Sequence, residues 1–334
     1  MMMVSLGDMA QSFLMKSQIT RLKTSSGRIT QELSSGQVVD VAASLNADLA
    51  RFTALARSRA VTAGYQSAAR EAAAQAAATQ TAIAAISDSV HALVSPLMSA
   101  SQLNTADPLA LASNDARGRL DSALTILNTS VGGRALFAGQ SVQGPAVVGA
   151  EAILAALRIE IAGVTTAQEA MSRISDWFDA PTGYRATAYQ GGAALAEVAV
   201  SASDSATIGV TAEDPAIRMM LKGLTAAALI NDSAFSLPFG ARQDMARLSA
   251  EALLTGHDRL TALAAHLGVS EGRIEAAQSR NAAELLAHEM AQADLIRSDP
   301  ERLAMELEAV QSNLELVYAI TARLSRLSLT DFLR

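Results

Sequence analysis

Few residues in this chain are equipped for chemistry. There are four histidines, His91, His257, His266 and His288, and no cysteine. Thiolate nucleophiles, thiolate metal sites and disulfides are therefore excluded. None of the histidines has a second ligand-type residue one helical turn further on. His288-Glu289 opens like the zinc-protease helix signature, but the position for the second imidazole holds Gln292, so the metal would lack half its ligands. Gly139-Gln140-Ser141 begins like a nucleophile elbow, yet Gln143 stands where a closing glycine is required. Gly132, Gly133, Gly139 and Gly144 match neither phosphate-loop spacing. Trp177-Phe178 could line a ligand box, although in a chain with only 4% aromatic residues such a pair more commonly anchors the core of a small module. The acids are scattered along polar faces. The sequence thus predicts no catalytic residue, no metal site and no cofactor, and a protein that is not an enzyme.

The elements with the clearest pattern lie at the two ends. Leu303, Leu307, Val310, Leu314, Val317 and Leu324 recur in alternating steps of four and three, with Thr321 in the remaining seam position. This is a heptad stripe, too narrow to be buried by anything but another helix. Asp299-Pro300 starts it as an N-cap followed by proline at the first helical position, where the lost N–H was unpaired anyway. Met15, Ile19, Leu22, Ile29 and Leu33 form a matching stripe, with Ser26 in its seam. The two are expected to meet antiparallel with Leu33 near Leu303, which would bring Arg28 towards Glu308 and Arg21 towards Glu315. Exposed pairs of this kind contribute about 0–1 kcal/mol each and would set register more than stability.

Between the ends, composition and punctuation define the rest. Half of the 334 residues are apolar, alanine dominates, and the net charge is −7. An alanine-rich, aromatic-poor chain suits closely packed helices, and without a basic patch the electrostatic footprint of nucleic-acid binding is missing. No run of about 18 uninterrupted apolar residues occurs, so no membrane insertion is expected; the N-terminus has neither the basic region nor the apolar run of a cleaved signal. Gly36 ends the first helix. A long helix starts near Asp40 and runs to Val94, with Pro96 expected to bend or end it. Asp107-Pro108 opens the next, which Gly132-Gly133 terminates. From 138 to 211 the helical pattern weakens: two short helices are expected at Glu151–Ala162 and Thr166–Phe178, then strands at Tyr184–Tyr189, Glu197–Ser201 and Thr207–Thr211. Asp214-Pro215 starts a further helix, and long helices resume from Gln243, with Gly268 as a local weak point.

The expected fold class is therefore mainly α: an elongated antiparallel helical bundle or coiled coil built from the N- and C-terminal regions, with a small inserted α+β module. The divisions are 1–36 with 299–334 as a terminal helical pair, 37–137 with 212–298 as the long-helix bundle, and 138–211 as the insert.

Several segments resemble the flagellin superfamily. Ile29–Gly36 (ITQELSSG) is similar to the segment that closes the first helix of flagellins, and Leu324–Leu333 (LSRLSLTDFL) resembles the terminal signature of the type 3 hook-associated proteins of the hook–filament junction. Leu136–Ser141 (LFAGQS), Ile208–Leu224 and Leu267–Ile274 (LGVSEGRI) resemble domain-boundary segments of the same subfamily. Val38–Ala43 stands where flagellins carry an Asn/Asp-rich stretch, and Met290–Leu295 replaces their Arg-Ile-x-Asp-x-Asp segment, which points away from a bulk filament subunit. The resemblance implies a structural adaptor of the bacterial flagellum, extracellular and exported unfolded through the type III apparatus with an export chaperone. Implied partners are its own copies in a helical, ring-like assembly, hook-associated protein type 1 and flagellin. The implied assembly interface is the double seam, Met15, Ile19, Leu22, Ile29 and Leu33 with Leu303, Leu307, Val310, Leu314, Val317 and Leu324. A filament-forming flagellin and a cytoplasmic coiled-coil binding module remain alternatives.

Overall fold

The computed structural model describes residues 6–45, 48–141, 143–235 and 237–332; for 6–9, 11–12 and 324–332 the description is of the backbone alone. The chain is mainly α-helical and divides into two compact units, 1–61 with 283–334, and 62–282. The divisions fall inside two long helices, α3 (Leu49–Gln102) and α9 (Phe239–Leu295).

The first unit contains α1 (Leu6–Ser35), the short α2 (Val41–Leu45) and α10 (Pro300–Phe332), with the adjoining ends of α3 and α9. The predicted punctuation acts as expected at both ends of the unit. Gly36 ends α1 at φ +70°, its N–H donating to the Glu32 carbonyl at 2.9 Å. The Asp299 carboxylate accepts the N–H groups of Glu301 and Arg302 at 3.0 and 3.2 Å. These are the orphan donors that a helix start leaves free.

The second unit is organised around α8 (Pro215–Leu229), which is buried on nearly every side. Its apolar residues run all the way round rather than along one stripe, the pattern of a helix at the centre of a core. Asp214 caps it, accepting the Ala216 N–H at 2.8 Å. Against it pack α4 (Ala106–Leu127) and α9, the latter where Gly223 faces Leu253 and Gly256 faces Met220. Within this unit α3 and α9 run antiparallel: Gln278 donates to the Ala69 carbonyl at 3.0 Å, and Ser87 Oγ lies 2.8 Å from His257 Nδ1. Buried Ala69, Ala72 and Ala76 give α3 a thin contact face. By length and composition α3 is also apolar enough to cross a membrane, contrary to the expectation from uninterrupted runs. That hydropathy reflects its alanines, and 39% of the relevant window is buried within the structure.

The chain leaves this bundle at Phe137 and returns at Ala212, whose N–H donates to the Phe137 carbonyl at 2.9 Å. Between them lie α5 (Ala150–Glu160), α6 (Ala167–Asp179), α7 (Tyr184–Thr187) and a two-stranded antiparallel ribbon of β3 (Val198–Ala199) and β4 (Ser205–Ala206). A smaller hairpin, β1 (Ser130–Val131) and β2 (Arg134–Ala135), precedes them.

Several local expectations are corrected. Tyr184–Tyr189 is a helical turn instead of a strand: Tyr184 is fully buried and its hydroxyl donates to the Ala212 carbonyl at 3.0 Å. Thr207–Thr211 forms no strand, and β4 stops at Ala206. Gly132-Gly133 makes the β1–β2 turn, both at positive φ, whereas α4 has already ended at Leu127. Thr105, not Asp107, is the N-cap of α4. Pro96 does not end α3: it lies on the exposed face between buried Leu93, Val94 and Leu97, so the carbonyl it deprives of a partner can turn to water. Gly268 likewise leaves α9 unbroken.

Candidate assembly surface

Within the first unit, α1 and α10 pack along each other, and their register follows from paired atoms. Gln37 bridges Arg297 in antiparallel fashion, the Ser298 N–H donates to Gly36 and Val38 N–H to Ile296 at 3.0 and 2.9 Å. At the far end Thr321 Oγ1 lies 3.6 Å from Met15 Sδ. The seam buries Ile29, Leu303, Val310 and Val317, to 0, 1, 8 and 9% exposure. Leu22, Leu307 and Leu314 pack half-buried against this cluster. Met15 and Ile19 are half-buried as well. Leu33, at the edge of the seam, is 39% exposed, and the Leu324 side chain lies outside the described residues. The predicted stripes therefore face each other inside one chain.

The polar register differs from expectation. Arg28 pairs with Glu306 at 3.3 Å and with Glu32 at 3.0 Å, not with Glu308. Glu308 lies two residues on, about 200° round the helix, on the flank away from Arg28. Among the described residues no ion pair joins Arg21 to Glu315. Glu32 was invisible to a search for apolar periodicity. Its side chain is only 3% exposed, and besides Arg28 it accepts the Val39 N–H at 3.2 Å, while its own carbonyl accepts from Ser298 Oγ at 3.2 Å. The buried carboxylate thus holds the loop that follows α1, and the backbone carbonyl ties the end of α1 to Ser298, just ahead of α10.

The pair also leaves large apolar side chains outside the seam. Phe13 and Leu14 on α1 are 74 and 66% exposed, and Met305, Leu316 and Ile320 on α10 are 66, 58 and 42% exposed. The α10 residues are separated by eleven and four positions, multiples close to whole helical turns, so they share a face turned away from the seam. The signal in the sequence was this second, weaker apolar stripe.

The residues considered for chemistry are spread apart or otherwise occupied. His91 and His257 stack with ring centroids 4.8 Å apart, and Glu289, beside His288, pairs with Arg59 at 2.8 Å. In the turn at Gly139, the Ser141 N–H donates to the Ala138 carbonyl at 3.2 Å. Trp177, Phe178 and Tyr184 form an edge-and-face cluster at 5.0, 6.1 and 5.2 Å inside the core of the second unit. His266 lines an open groove with Leu263, Arg273 and Asp214, where the acid is committed to capping α8. Among the described residues no group of three or more metal-ligating side chains comes together.

The strongest ionic cluster is structural. The Asp232 side chain, 3% exposed, receives Arg158 and Arg117 at 2.7 and 2.8 Å, and the Ala234 N–H at 2.9 Å. Burial pushes its carboxyl upward, but the hydrogen bonds from Arg158, Ala234 and Arg117 and the Arg158 charge outweigh that and leave it below the ordinary value.

Comparison with protein-family profiles and with curated proteins finds no match. Among solved structures, the chain is similar to that of a Vibrio parahaemolyticus protein assigned as a flagellar hook-associated protein, with a TM-score of 0.51 and 12% identity over 73% of this chain and 95% of that one. At this identity the likeness is one of fold.

Proposed function

We propose that the protein is a non-catalytic structural subunit of the bacterial flagellum, an adaptor of the hook-associated kind at the junction of hook and filament. The observation that carries this reading is the α1–α10 pair. Its seam is satisfied within the chain, yet Phe13, Leu14, Met305, Leu316 and Ile320 stay exposed, leaving apolar surface for further copies. Large apolar side chains gathered on one exposed element favour association, and a heterologous contact repeated from copy to copy builds rings or helices. The fold likeness to a hook-associated protein and the motifs ITQELSSG and LSRLSLTDFL support the same assignment. In this reading the partners are other copies of the chain, hook-associated protein type 1 on one side and flagellin on the other, after export through the flagellar type III apparatus with a chaperone. The location is extracellular.

Gold-labelled antibody on intact flagella tests the reading. A single band at the hook end is the expected result; label along the whole filament would make the chain a flagellin, and label confined to the cell interior would overturn the flagellar assignment. Removal of 299–334 should leave a folded 62–282 unit and abolish incorporation.

A further inference from the structure

Among the described residues, the terminal pair carries an unpaired basic set on α1 and an unpaired acidic row on α10. On α1, Lys16, Arg21 and Lys23 are exposed, and among the described residues none has an acid within 4.0 Å. On α10, Glu301, Glu308 and Glu315 are exposed and equally without a basic partner. The glutamates recur every seven residues, which aligns them on one flank of the helix at intervals of about 10.5 Å. Lys16 and Lys23 have the same interval. Arg302 and Arg323 project about 100° and about 80° round from the acidic row, so they leave it uniformly negative. The intrachain register spends Arg28 on Glu306 and Glu32 and neutralises neither of these sets.

We propose that α1 of one copy lies along α10 of a neighbouring copy, with Lys16 and Lys23 set against two successive glutamates of the row Glu301, Glu308 and Glu315. The inference rests on the assembly reading above and supplies its recognition chemistry. A second copy is the fitting occupant because every chain carries both complements, of opposite sign and with the same heptad interval, Arg21 lying about 140° round from Lys16 and outside the row. Phe13 on α1, exposed and about 60° round from Lys16, adds apolar area to the same contact, while complementary charge sets partner choice and register.

Charge exchange in the full-length protein tests this by sedimentation velocity. Wild type should associate in about 0.05 M salt and at least several-fold less in about 0.5 M, where the screening length shrinks to a few ångströms. Lys16→Glu/Lys23→Glu and Glu308→Lys/Glu315→Lys should each lose association by at least about tenfold, because like charges then face each other. Their equimolar mixture should regain it. Arg302→Glu/Arg323→Glu, a charge change off the acidic row, should associate like wild type. If either double variant loses helicity, Lys23→Glu and Glu308→Lys carry the same mixing test. Variants that assemble as wild type does, or a mixture of folded variants that stays dispersed, would overturn the pairing and leave the assembly reading standing. Wild type that remains monomeric throughout would overturn both.

Discussion

Arg158 grips Asp232 through two nitrogens, Nε at 3.1 Å and Nη2 at 2.7 Å, both on one carboxylate oxygen that Arg117 also reaches. The three residues come from α5, from the turn after α8 and from α4, so the ion cluster ties the inserted module to the bundle. Removing the acid would strand two guanidinium groups at a partly dry site. Asp232→Asn should therefore destabilise the 62–282 unit by about 2–4 kcal/mol, near the lower range for broken buried pairs because both arginines retain some contact with water. The pH dependence has a definite sign. Since the folded carboxyl titrates below the ordinary 3.8, its stabilisation is complete above the unfolded value and disappears as pH falls through the folded one. Thermal unfolding of wild type should therefore lose more stability on acidification below about pH 4 than that of Asp232→Asn, and parallel curves would remove Asp232 as the cause.

Gly256 sits where α9 crosses α8. A Cβ there would stand 3.0 Å from Met220 Cα and 3.2 Å from its nitrogen, backbone atoms that cannot move aside. Around Gly268, twelve residues closer to the unit boundary in the same helix, nothing lies within 4 Å. Alanine improves helix propensity by about 1 kcal/mol at either position. Gly268→Ala should accordingly stabilise by up to that amount, whereas overpacking at Gly256→Ala should outweigh the gain and cost about 1–3 kcal/mol net. Chemical denaturation of the two variants gives the comparison; equal effects would mean that the crossing is looser than its geometry.

Tyr184 is fully buried, and burial raises its phenol above the ordinary 10.0. A group raised in this way stabilises the fold below the unfolded value, and that stabilisation is lost as pH climbs through the folded one. Tyr184 should fail to ionise in an ultraviolet titration until alkaline unfolding begins. Tyr184→Phe strands the Ala212 carbonyl that closes the neck of the insert, and should cost about 1–2 kcal/mol.

Ile29 lies at the centre of the terminal seam with no exposed surface. Ile29→Asp would bury a carboxylate against Leu303 and Val310, at a penalty of several kcal/mol. The α1–α10 pair should separate, read as lost helicity and rapid proteolysis of 1–61, while the 62–282 unit keeps its unfolding transition. Collapse of both transitions together would show that the two units fold as one.

The elements legible in the sequence were those whose signal is local or periodic. Asp299, Asp214 and Gly36 act as caps because a carboxylate beside orphan N–H groups, or a residue free to take positive φ, solves a problem confined to one turn of chain. The two heptad stripes were readable for a related reason: a narrow apolar line requires a partner of the same shape, and this chain has one at each end. Periodicity could not say whether Tyr184–Tyr189 was strand or helical turn, because a short alternating run fits both until Tyr184 is placed in the core. Nor could it show that Pro96 and Gly268 leave their helices whole, which depends on buried neighbours holding each rod in place.

The sequence by itself determined the helical class, the terminal pairing and the poverty of reactive residues, since each follows from residue types and intervals along the chain. Tertiary structure alone decided that Glu32 is buried, that Arg28 meets Glu306 rather than Glu308, and that the seam is closed internally while other apolar and charged side chains stay outside. Those outcomes depend on how one helix is rotated against another. A rotation of a single residue step, about 100°, exchanges the flank that is covered for the flank that remains to meet a neighbour, and no spacing within either helix specifies it.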